Sequence, residues 1–270
     1  MDIIGNAFAR AINYIFSFTG NYGLSILYLS AAVQIAIIPL KLKRRQGTKR
    51  LYEAQEEVNS VKKKFRGTPE ELEQLINRIY EKHNAGNFSG CILFILTFLI
   101  PMIVFLAFYR NFTMPLTYFC NLTQGQTEAI MKAVRGIPKF AGINHEYEAI
   151  PAIIENPGLG LPSESIDRIK NLYSGFFGMN LCEKINLRNN AEIILLLVPV
   201  IFQVGSVFKN SRKKIKDRKY MISQGIILLL IMFGIYIACQ LPVGLLLSTV
   251  MATAIDCLTD SMYRKEEAAQ

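Results

Sequence analysis

Long apolar runs alternate along this chain with short, strongly charged segments. Five runs stand out: Tyr22–Leu42, Phe88–Tyr109, Ala191–Phe208, Met221–Cys239 and Leu241–Met262. Each is about 18–22 residues, which at about 1.5 Å per residue matches a hydrocarbon core about 30 Å thick. Pro101, Pro199 and Pro242 interrupt or open three of them, and membrane helices tolerate such breaks because neighbouring groups satisfy the freed backbone. A soluble core does not produce five such runs. The pattern predicts an all-α polytopic membrane protein with spans at 21–43, 87–110, 191–208, 220–240 and 241–262.

The segments between the runs carry patterns of their own. Ile4, Phe8, Ile12 and Phe16 recur every four residues, with Asn6, Arg10, Asn13 and Ser17 on the opposite side. That predicts an amphipathic helix over 1–20, lying in the outer membrane interface. From Arg44 to Arg66 the apolar residues are Leu51, Ala54, Val58, Val61 and Phe65, spaced as a coiled-coil seam. The seam stops at Gly67. Thr68, Pro69 and Glu71 then have the order of a capping box with proline at the first helical position. Leu72, Leu75, Ile76, Ile79 and His83 continue at helical spacing. Two helices joined by so short a turn must run antiparallel, so 44–86 is read as a helical hairpin. Residues 111–190 form a longer, more polar segment with helix-like pieces at Thr127–Arg135 and Ser163–Tyr173. Residues 209–219 read as a basic loop and 263–270 as a tail.

Charge sets the orientation. The chain is 51% hydrophobic, has a mean hydropathy of +0.26 and carries a net charge of +9. Lys and Arg crowd into 41–87, 209–219 and the tail, and the whole positive excess falls on these segments. They share one side if five spans alternate. The positive-inside rule makes that side cytoplasmic, with the N-terminus outside and the C-terminus inside. Lys62, Lys63, Lys64 and Arg66 on the hairpin, and Lys213 and Lys214 in the loop, are candidates for docking to anionic lipid headgroups or ribosomal RNA. The plainer reading of each cluster is a solvated face. Cys120 and Cys182 both fall outside, where oxidation is possible, and are a candidate disulfide. The five cysteines include no CxxC pair and the two histidines lie far apart, so neither metal nor cofactor is expected. No HExxH or GxSxG motif and no base–nucleophile pair is present, so the chain is not read as an enzyme.

The order of these pieces carries a resemblance. It runs through "NYGLSILYLSAAVQIAIIPLKLK", the basic hairpin, "YEKHNAGNFSGCILFILTFLIPMIVFLAFYRNF", "FFGMNL" and "QLPVGLLLS". It resembles the YidC family of membrane protein insertases, with its mitochondrial Oxa and chloroplast Albino relatives. The match is close over Asn21–Phe112 and looser over Phe176–Tyr263. The resemblance implies five transmembrane helices around a hydrophilic groove, open to the cytoplasm and the bilayer and closed outside. It implies insertion of small membrane proteins into the bacterial plasma membrane without nucleotide or metal. The partners it implies are nascent membrane proteins, anionic lipids, the Sec translocon and the ribosome.

In that family the position five residues before the Pro-Leu of the first span usually holds a groove-facing arginine. Here it is Gln34. Gln34 is the candidate centre of a less charged groove, joined by Gln203, Ser248, Thr249 and Thr253. The alternative is that Gln34 only bonds to a neighbouring helix, as polar residues in bundles do. Asp256 reads as an acid that snorkels or pairs with a basic loop residue, with a functional role as the alternative. A rival function is a small transporter or channel. Against it stand the absence of internal repeats and of buried acid–base pairs near the midplane.

Overall fold

A computed structural model describes residues 3–84, 89–174, 176–186, 188–211 and 233–269. Among them regular structure is helical throughout, apart from isolated β-bridges between Phe176 and Met179 and between Lys184 and Pro242. The helices are α1 (Ile3–Thr19), α2 (Tyr22–Lys64), α3 (Pro69–Lys82), α4 (Ser89–Thr113), α5 (Pro115–Tyr118), α6 (Gln124–Arg135), α7 (Glu146–Glu155), α8 (Ser163–Ser174), α9 (Asn190–Ser211) and α10 (Val243–Ala269). The chain divides into two compact units. One holds Ile35–Val104; the other holds Met1–Gln34 with Phe105–Gln270.

Two described helical stretches, Tyr22–Lys64 and Val243–Tyr263, are long and apolar enough to cross a membrane. Leu99–Thr113 and Asn190–Phe202 are shorter apolar stretches. Most of the run expected at 220–240, and the basic loop after Ser211, lie outside the described residues. Pro39, Pro101 and Pro199 sit inside α2, α4 and α9, which continue through them. No joint separates the first span from the hairpin: α2 is one helix of 43 residues. Between Leu40 and Lys64 the sequence holds no proline and one glycine, Gly47, too little to stop a helix.

In the smaller unit α2 and α3 form the hairpin. Ala54 and Val58 pack on Ile79, with Val61, Leu75, Ile76 and Tyr80 against them. Thr68 accepts the Glu71 N–H at 3.3 Å and the Glu71 carboxylate accepts the Thr68 N–H at 3.0 Å, so the capping box is complete. The seam is shorter than its spacing predicts. Leu51 is exposed and stands outside the packed cluster. The His83 Nε2 lies 2.7 Å from the Glu57 carboxylate, which also accepts from Lys82 at 2.9 Å.

In the larger unit α5 to α8 pack into a small helical cap with α1 laid against it. Leu116, Phe119, Val134, Ile150, Ile169 and Leu172 are its buried core. A capping box at Thr123 and Gln126 starts α6, and the Glu146 carboxylate receives the Thr117 N–H at 2.9 Å and its hydroxyl at 2.7 Å. The outward polar face expected for α1 is corrected at Asn13. Its side chain donates to the Tyr118 carbonyl at 3.1 Å and accepts from the Tyr22 hydroxyl at 2.9 Å. Asn111, fully buried, donates to the Gly5 carbonyl. These amide bonds, which a helical period does not reveal, draw Asn13 inward, while Asn6, Arg10 and Ser17 on the same side stay exposed.

The disulfide expected between Cys120 and Cys182 is absent; both are buried, free thiols. Burial pushes the Cys120 thiol up to about 12 and the Cys182 thiol well above its ordinary range. The thiolate that would form the bond is suppressed at both positions.

Candidate functional site

The candidate site is built on α10 and on the first half of α2. Pro242 opens α10, and its first free backbone donors are claimed by the loop before α9. Val243 N–H reaches the Glu183 carbonyl at 2.9 Å and Gly244 N–H the Leu181 carbonyl at 2.8 Å. These bonds satisfy donors that a helix start leaves open and fix α10 to the cap. Gly244 permits the fit, since any side chain there would run into the Phe112 ring. Val243, Leu245, Leu246 and Leu247 are all buried, so the helix is dry all round at this end.

The character changes at Ser248. Ser248, Thr249 and Thr253 are half-buried, and each hydroxyl donates to its own helix. The acceptors are the carbonyls of Leu245 at 2.7 Å, Leu246 at 2.8 Å and Thr249 at 2.8 Å. Their protons are settled within the helix, and each oxygen keeps a lone pair for a visitor. Thr249, Thr253 and Asp256 recur at i, i+4 and i+7, one face of the helix. Asp256 is half-buried on that face, so the polar stripe is longer than the three hydroxyl residues picked from the sequence. α10 packs against α9, whose backbone carries Gln203; the Gln203 side chain lies outside the described residues.

Gln34 is half-buried on α2. One turn before it on the same face stands Ser30, 3% exposed, whose hydroxyl makes no hydrogen bond among the described residues. A serine within an apolar run gave no signal of this kind in the sequence. An unpaired buried hydroxyl costs about 1–3 kcal/mol, so this face of α2 is poorly served by a dry surrounding. Among the described residues no cluster of His, Cys, Asp or Glu fits a metal ion.

At the hairpin tip Lys62, Lys63 and Lys64 fill the last turn of α2 and are exposed, as is Arg66. Cations there also complement the negative end of the helix dipole, a structural reason for the cluster. Lys213 and Lys214 lie outside the described residues.

Residues 14–270 match the profile of the family described as 60Kd inner membrane protein. The chain is 33% identical over 99 residues to the membrane protein insertase YidC of Helicobacter pylori, covering 37% of this chain and 17% of that protein. It is 30% identical over 99 residues to the membrane protein insertase YidC of Clostridium perfringens, covering 37% and 40%. With that of Caldanaerobacter subterraneus subsp. tengcongensis it shares 27% over 118 residues, covering 44% and 54%. The chain thus spans between 17% and 54% of these relatives. A match running from within α1 to the last residue, on a chain whose described residues are helical and include membrane-length apolar helices, decides the matter: the chain belongs to the 60Kd inner membrane protein family, that of the YidC and Oxa proteins, and is a membrane protein.

Proposed function

We propose that this protein is an insertase and chaperone that integrates small membrane proteins into the bacterial inner membrane without fuel hydrolysis, alone or beside the Sec translocon. The observation that carries the reading is the family match over residues 14–270. The groove is proposed to be lined by Gln34, Gln203, Ser248, Thr249 and Thr253, within five spans running from an outside N-terminus to an inside C-terminus. Two features of the larger unit support it: the switch on α10 from buried leucines to half-buried hydroxyls, and the unpaired Ser30 hydroxyl one turn from Gln34.

The physical logic is barrier lowering. An unpaired amide or hydroxyl moved into hydrocarbon costs roughly 2–7 kcal/mol. A polar face reaching part-way through the bilayer lets a passing chain keep its hydrogen bonds and shortens the low-dielectric distance left. The driving force is partition of the substrate's own apolar helix into lipid, about 25 cal/mol per Å². The exposed Lys62–Lys63–Lys64–Arg66 tip, and Lys213 and Lys214, are proposed contacts for anionic lipid headgroups or a docked ribosome.

Site-specific photocrosslinking from position 34 to a nascent small membrane protein is the direct test. Adducts at position 34, and none from a lipid-facing position such as Tyr28, are expected. Liposomes containing the purified protein should also take up a small phage-coat-like protein; uptake of solutes without insertion would favour a transporter or channel instead.

A further inference from the structure

We propose that Phe177 is an aromatic wedge that seats the cap on the membrane, its ring lying among lipid headgroups and upper acyl chains beside the outer end of the first span. The proposal rests on reading α2 as a span whose Tyr22 end lies at the outer face. Phe177 is 83% exposed, so its ring contributes little to the fold. Its described aromatic neighbour is Phe176, edge-on at 4.8 Å. Its backbone is left-handed at φ 51°, a region that glycine and asparagine enter easily and phenylalanine does not. A bulky apolar side chain is thus held outward on a reluctant backbone.

The turn that presents it is firmly placed. Phe176 is buried, and its ring lies so close over Gly23, on the first turn of α2, that any side chain there would strike it. Phe176 and Met179 close the turn, and Leu181 N–H bonds to the Leu172 carbonyl on α8 at 3.0 Å. Asn171 ties α8 to the same corner, accepting the Tyr22 N–H at 2.9 Å and donating to the Gly20 carbonyl at 2.8 Å. Flanking that corner along the chain, Tyr14 and Phe18 on α1 and Leu24 and Tyr28 on α2 are exposed as well. Exposed aromatic and aliphatic side chains gathered where a membrane helix begins are what the interface selects, because amphipathic and apolar rings are stable at headgroup depth. Continuity with the start of a span identifies lipid as the occupant.

The chain contains no tryptophan, so Phe177→Trp provides a single indole that can be excited selectively over the tyrosines. The full-length variant is reconstituted in liposomes whose lipids carry bromine at defined acyl positions. Blue-shifted emission, quenched more by bromine near the headgroup than near the chain end, is expected. Tyr28→Trp serves as the reference for a lipid-facing span. If Tyr28→Trp is quenched while Phe177→Trp emits like an indole in water, the wedge is refuted and the span stands. If neither is quenched, the span reading falls and the wedge with it. Phe177→Asn removes the ring and suits the left-handed backbone. Amide exchange over 176–182 in liposomes should rise several-fold in this variant. Unchanged or slower exchange, the result of relieved strain alone, would overturn the proposal.

Discussion

Two glycines decide how closely elements of the larger unit approach. Gly23 faces the Phe176 ring, and Gly244 faces the Phe112 ring with the Leu181 carbonyl oxygen 3.0 Å from any added Cβ. Phe112 is fully buried, so its ring has nowhere to go. Gly244→Ala is expected to cost about 1–3 kcal/mol as overpacking. The measurement is thermal unfolding in detergent, followed by a thiol-reactive dye that reaches Cys120 and Cys182 only on opening. Unchanged melting would remove the close-approach argument. The same chemistry predicts that a maleimide modifies these two thiols slowly in the folded protein, since burial raises both above their ordinary range and leaves little thiolate. Rapid labelling of either under native conditions would contradict their placement in the cap core.

At the scale of elements, the hairpin is the part whose stability is open to titration. The Lys82 ammonium, then the His83 ring, hold the Glu57 carboxyl below its usual range by hydrogen bonding. A carboxyl depressed in the folded state adds stability above its unfolded value and loses it as pH falls through the folded value. Acidification below the ordinary carboxylate range should therefore loosen the end of α3, seen as faster amide exchange at 79–84. Glu57→Gln should abolish that dependence. Thr68→Ala removes half of the capping box and is expected to destabilise α3 by about 0.5–2 kcal/mol, with protection lost first at Glu70–Leu72. Retained protection there would mean that hairpin packing alone holds the helix start.

For the whole molecule the question is what a substrate meets. If position 34 lines the proposed groove, its side chain there is a neutral glutamine, with no charge of its own to attract an acidic tail. Replacing the acidic residues of a substrate tail by neutral ones should change insertion little; a loss of about tenfold, or 1.4 kcal/mol, would show that another cation does the work. The hydroxyls of Ser248, Thr249 and Thr253 are satisfied by their own helix, so changing all three to alanine should leave the fold and its melting intact. Insertion into liposomes should nevertheless fall. Equal insertion would remove these residues from the proposed groove.

Much of this was legible without coordinates, for reasons that differ from residue to residue. Apolar runs of membrane length, the 3–4 spacing of Ala54 and Val58 and the Thr68–Glu71 cap are local features, governed by burial periodicity and helix-end hydrogen bonds within a few residues of chain. The sequence by itself determined an all-helical membrane protein with a capped, basic hairpin, and the order of its motifs determined the family. Contacts between distant residues were not legible, because no period encodes them. Only the tertiary structure turned Asn13 inward onto Tyr118 and Tyr22 and left Leu51 outside the packed hairpin cluster. It also paired His83 with Glu57, sealed Cys120 and Cys182 as free thiols, and set Phe177 outward while burying Phe176 on Gly23. Local patterning sets which face of a helix is apolar; what that face meets depends on chain brought from far away, and that only folding decides.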